Sequence, residues 1–253
     1  MHPVRADEGP FLSIPRMMAR TPLPVYASVV LPVVVLLAAA ALQPWLPPSD
    51  LMRDSQVIAA RHHAVSPAYG LVSNLGIVVL ALSSGAAVTA RLVLREARAP
   101  WPRLLLWMAV VSLALVLDDL LLLHEAATFA SWIGAVVAAA YGFAFLRFVL
   151  EFRTLIVRDL EVGLLALAVG SFGVSAATDL LVAATQASVL VEDGAKLLGL
   201  VAWSAFVLRT ALAAFRHSGA STGAAPASPR MTVADTASGA TIVRDSSAQV
   251  KNR

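Results

Sequence analysis

The chain has 253 residues, of which 58% are hydrophobic and 14% charged, with a mean hydropathy of +0.77 and a formal net charge of +3. A soluble domain carries about 25% charged residues, so this chain lacks the polar side chains needed to face water over its whole surface. The absence of cysteine excludes disulfides, thiolate metal sites and thiol nucleophiles.

The predicted elements are all α-helical, arranged as a polytopic bundle of about six membrane spans. Residues 1–23 are polar, hold Arg5, Arg16 and Arg20, and read as a cytoplasmic leader. The first apolar run, 24–46, is long enough to cross a hydrocarbon core that needs roughly 20 helical residues. The alternative for this run is a signal peptide cleaved within Ala38–Ala41. A loop over 47–69 follows, with Asp50, Arg53, Asp54, Arg61, His62 and His63; a short interfacial helix through Leu51 and Ile58 would lack a strong apolar stripe. The adjacent histidines come without ligand spacing and read as solvated. The remaining spans are expected at about 70–93, 103–123, 131–150, 160–184 and 194–215. From 216 to 253 the composition turns to Ala, Ser, Thr, Gly and Pro, which reads as a disordered cytoplasmic tail.

Charge distribution tests this topology. With the amino terminus inside, sixteen of the 19 basic residues fall on the cytoplasmic side, and only Arg53, Arg61 and Lys196 fall outside. That asymmetry supports an even number of crossings with both termini inside. Eight of the 16 acidic residues lie in the outer half, against those three basic ones. Arginine dominates over lysine, and with the heavy use of Ala, Val and Leu this points to a GC-rich bacterial genome and hence to a bacterial cytoplasmic membrane. The expected partner is the lipid bilayer. Basic residues do not cluster with aromatics on any segment, so no nucleic-acid partner is expected; the sequence names no protein partner.

The stretch Leu117–Glu125 ends the third span with Asp118, Asp119, His124 and Glu125. In this topology the fifth span brings Asp179 to the same outer level, on a stripe with Ser175 and Gln186, and the sixth begins there with Glu192 and Asp193. Ser73 and Asn74 enter the second span from that face. An aspartate at the centre of a membrane helix costs about 2.5–3.5 kcal/mol on insertion scales, so these groups should face the bundle or an aqueous cleft, or be paired. Lys196, four residues after Glu192 and three after Asp193, is the candidate structural ion-pair partner on the same helix, or a partner for the Asp118–Asp119 group. Helix capping is the plainer reading of Glu192 and Asp193, since negative charge is favoured at a helix amino terminus.

The sharpest functional reading is a divalent-metal site built from Asp118, Asp119, His124, Glu125, Asp179, Glu192 and Asp193. Such nitrogen and oxygen donors suit zinc, manganese or iron. That metal would activate water to hydrolyse a membrane-bound substrate. Helix geometry limits the set: Asp118 and Glu125 point within about 20° of each other but stand roughly 10.5 Å apart along the axis. The chain has no His-Glu-x-x-His helix, no Glu-x-x-His pair and no Gly-x-Ser-x-Gly elbow. A serine, an aspartate and histidines near one membrane face resemble, in part, the seven-span alkaline ceramidase and progestin-receptor-like hydrolases. Those carry a histidine pair in the last span, where residues 195–215 have none, so the chain is not placed among them. Two other classes stay open: a cation- or proton-coupled transporter using the buried carboxylates with Asn74 and Gln186, and a non-catalytic scaffold whose arginine-rich inner loops meet anionic lipid.

Overall fold

The computed structural model describes residues 18, 20–96, 100–121, 131–182 and 185–222. The described residues form eight helices and no strand: α1 (Leu23–Leu42), α2 (Pro48–Met52), α3 (Ser55–His62), α4 (Leu71–Val93), α5 (Trp101–Leu121), α6 (Ser131–Asp159), α7 (Val162–Leu181) and α8 (Gln186–Thr222). Five stretches are long and apolar enough to cross a membrane, namely Leu23–Leu42, Leu71–Val93, Trp101–Leu121, Val162–Asp179 and Gln186–Ser218. An apolar helix satisfies its backbone polar groups internally, which is the condition for living in hydrocarbon. The chain is thus consistent with a helical, multi-pass membrane protein.

α8 is the axis of the bundle. Its spanning stretch is 61% buried, against 17% for α1 and 28% for α7, and it packs against α1, α2, α4, α5 and α7. Small residues set the closest approach. A Cβ on Gly199 of α8 would lie 2.9 Å from the Phe172 ring of α7, and a Cβ on Gly194 would lie 3.0 Å from Leu37 of α1. α6 joins through its lower half, where Phe148 meets Trp203 of α8 edge-on at 6.0 Å and Phe152 and Ile156 are buried. Leucine and valine on the outward faces, such as Leu31, Leu82 and Leu146, are exposed, as lipid-facing positions should be.

Several expectations need correction. The segment 47–69 is a packed cap, because Leu51, Met52 and Ile58 are buried and the first two form a second core with Val33, Val72 and Leu197. Its apolar groups come from two short helices joined by a turn, so no single stripe advertises them. His62 is not simply solvated: its Nε2 lies 2.9 Å from Oδ2 of buried Asp50, and its ring stacks on Tyr69. α6 continues to Asp159, so Glu151, Arg153 and Arg158 lie on a helix rather than in a loop. Likewise α8 starts at Gln186, which places Glu192 and Asp193 in its second turn. The dipole effect fades within the first turn, so those carboxylates do not cap the helix. Gln186 opens α8 instead of extending a stripe on α7.

Candidate functional site

Chain direction places the start of α4, the end of α5, the end of α7 and the start of α8 at the end of the bundle that α2 and α3 cover. There the helices leave a cleft of about 510 Å³. Among the described residues six carboxyl groups line it, from Asp54, Asp118, Asp119, Asp179, Glu192 and Asp193, with two basic side chains, Arg53 and Lys196. Five of the seven acidic or imidazole positions singled out in the sequence therefore meet in one space. His124 and Glu125 lie outside the described residues.

Each wall has a local cause. Asp118 and Asp119 sit near the last described turn of α5 and are 7% and 6% exposed. Neighbouring residues on a helix point about 100° apart, so burying both requires protein on two sides of α5. One side is α8, where Lys196 Nζ lies 2.8 Å from Asp119 Oδ1. Lys196 is thus paired across helices, to the outer aspartate of α5. On α7, Ser175 and Asp179 are one turn apart and both face the cleft, Asp179 at its exposed end. On α4, Ser73 lines the cleft while Asn74 is exposed and does not.

The cap contributes residues that sequence reasoning missed. Arg53 and Asp54 follow α2 and reach the rim: Arg53 approaches Glu192 at 3.9 Å, and the Ser73 hydroxyl donates to Asp54 Oδ1 at 2.6 Å. The proline that opens α2 at its first turn was the available signal. Tyr141 of α6 also lines the cleft, with its hydroxyl donating to Ala114 O at 3.1 Å. Nothing in its flanking residues marks it as facing inward.

The rim of the cleft holds Arg53, Asp54, Asp179, Glu192 and Asp193, with Met52, Val57 and Val72 as apolar lining on the cap side; along their helices Leu115 lies a turn inward of Asp118 and Asp119, Phe172 two turns inward of Asp179, and Leu200 a turn inward of Lys196. Along α8 the distance from Glu192 to Leu200 is roughly 12 Å at 1.5 Å per residue. Among the described residues no three His, Asp or Glu side chains are grouped so as to hold one metal ion. What the arrangement offers is an excess of negative charge beside an apolar lining, in a setting where charge is weakly screened.

The opposite end is built differently. Arg103 Nε meets Glu151 at 2.7 Å, Arg147 approaches the same carboxylate at 3.6 Å, and Arg209 pairs with Glu161. A small pocket of about 120 Å³ lies there, beside Arg209, Thr210 and Arg216. Comparison with curated proteins and with solved structures returns no match. A family model does match residues 27–210, which takes in most of α1 and of α8 with everything between, and the chain belongs to that family, Domain of unknown function (DUF8692).

Proposed function

We propose that this is a multi-pass protein of a bacterial cytoplasmic membrane whose capped cleft faces the extracytoplasmic side and binds a cation. α6 serves as the sixth span beside the five apolar stretches, and both termini are cytoplasmic, in keeping with the segregation of basic residues. The supporting observation is that, among the described residues, six carboxyl groups from four elements share the cleft with two basic side chains. A space lined this way lowers the energy of a positive charge relative to an anion or a neutral molecule. Whether bound cation is also carried across the membrane is read from proteoliposome flux, with Asp179→Asn as the control.

Equilibrium dialysis of the full-length protein in lipid nanodiscs against methylammonium, Mn²⁺ and Zn²⁺ tests the reading. Asp118→Asn with Asp179→Asn should weaken binding about tenfold or more, the scale of a lost charge-assisted contact. No binding by the wild type, or equal binding by the variant, overturns it. A second reading, metal-dependent hydrolysis of a membrane-bound substrate, draws support from the position of Asp118 and Asp119 just before His124 and Glu125 in the chain. A metal held there would supply activated water. Equal metal content in the wild type and in Asp118→Asn with His124→Ala removes that reading.

A further inference from the structure

We infer that the ligand of the cleft is an amphipathic amine, with its ammonium among the carboxylates and its apolar group on the lining inward of them. This rests on the cation reading and narrows it to a chemical class. Three observations carry it. The first is the apolar lining inward of the carboxylates along α5, α7 and α8: a hydrated metal ion gains nothing from Leu115, Phe172 and Leu200, whereas a hydrocarbon group does. The second is size. A volume of about 510 Å³ falls within the roughly 300–1,000 Å³ of small-molecule pockets.

The third is that the protein already places one alkylammonium in this cleft. The Lys196 side chain is a four-carbon stem ending in an ammonium, and its Nζ lies 2.8 Å from Asp119 Oδ1 while the flanking cleft wall is Leu197 and Leu200. A free amine entering from the rim meets the same chemistry. Asp193 Oδ2, on the same wall, is buried and has no hydrogen-bond partner among the described residues. An ammonium carries three donors and suits such an acceptor. The outer ends of α5, α7 and α8 would bind its charge, and the apolar lining would select for the length of its chain.

The test is a chain-length series on the full-length protein in nanodiscs: methylamine, butylamine and, as the uncharged control, butanol. Burial of each methylene strengthens binding about fourfold, so butylamine, with three more, should bind about 60-fold more tightly than methylamine. Butanol should not compete. Ala176→Phe fills the apolar part of the cleft from a position that removes no charge, and it should cut the butylamine advantage to about threefold or less while methylamine still binds. Ser175→Leu, one residue away, serves the same purpose should the first variant not fold. Equal affinity for the two amines, abolished by Asp118→Asn with Asp179→Asn, overturns the amphipathic assignment and leaves the cation reading standing. Failure of both amines and of Mn²⁺ to bind overturns both.

Discussion

The two ends of the bundle carry similar side chains and use them in opposite ways. At the end where α6 turns into α7, arginines and glutamates sit in contact: Arg103 with Glu151, Arg209 with Glu161, and the Arg20 guanidinium donating to Val157 O at 2.7 Å. There charge joins helix to helix and leaves little space. At the capped end, among the described residues, six carboxyl groups and two basic side chains stand around about 510 Å³. Helix packing alone calls for no such space. On the reading proposed above the cleft is the working part of the molecule, and substitutions at the two ends should separate stability from binding.

The largest effect is expected at the Lys196–Asp119 pair inside the cleft. Lys196→Met leaves Asp119, 6% exposed, without its ammonium, and removing one member of a buried pair costs about 3–5 kcal/mol. Equilibrium unfolding in mixed micelles should show that loss, and Asp119→Leu added to Lys196→Met should recover much of it. A second variant that is no more stable than the first would mean that Asp119 does not depend on this pairing.

Next comes the hinge of the cap. Gly70 has φ +64°, and a Cβ there would lie 2.5 Å from Ser55 N and 2.8 Å from Arg53 O. The left-handed conformation alone costs a residue with a Cβ about 1–2 kcal/mol, and the overlap adds to it. Gly70→Ala should thus lower stability by about 2 kcal/mol or more and also weaken cation binding, because Arg53 and Asp54 ride on the displaced segment. Destabilisation with unchanged binding would show that the cap only closes the bundle and does not shape the cleft.

In the core between the two ends, the Trp203 indole donates to Ser112 Oγ at 2.9 Å, and both residues are buried. Trp203→Phe keeps an aromatic ring against Phe148 and Phe206 but strands the Ser112 hydroxyl. A loss of about 1–2 kcal/mol is expected, with no change in binding. The pairing of Trp203→Phe with Ser112→Ala should cost little more than the first alone, since the same bond is being removed twice.

How much of this was legible beforehand follows the same division. The spans were readable because their apolar runs are long and the interruptions few, and the meeting of Asp118, Asp119, Asp179, Glu192 and Asp193 at one level followed from chain direction alone. The cap was not readable, because Leu51, Met52 and Ile58 are spread over two short helices whose relative tilt no periodicity encodes. Tyr141 escaped for a related reason: which face of α6 turns inward depends on Phe148 and Phe152 docking against α8, a tertiary event. The partner of Lys196 was open between its own helix and α5; spacing at three and four residues favoured its own helix, whereas the close ion pair runs across to Asp119.

The smallest effect is expected at the arginine-rich end. Arg103 is 64% exposed, and its carboxylate partner Glu151, 11% exposed, also has Arg147 within 3.6 Å on its own helix. Loss of one arginine leaves the carboxylate with the other, so Arg103→Gln should cost less than about 1 kcal/mol, as exposed pairs do. Arg147→Gln alone should cost no more. Removing both strands Glu151, and the double variant should lose more than the two single losses combined, because the arginines substitute for one another. Simple additivity would mean that they act independently. A single loss as large as that of Lys196→Met would mean that the number of partners around each carboxylate is not what distinguishes the two ends.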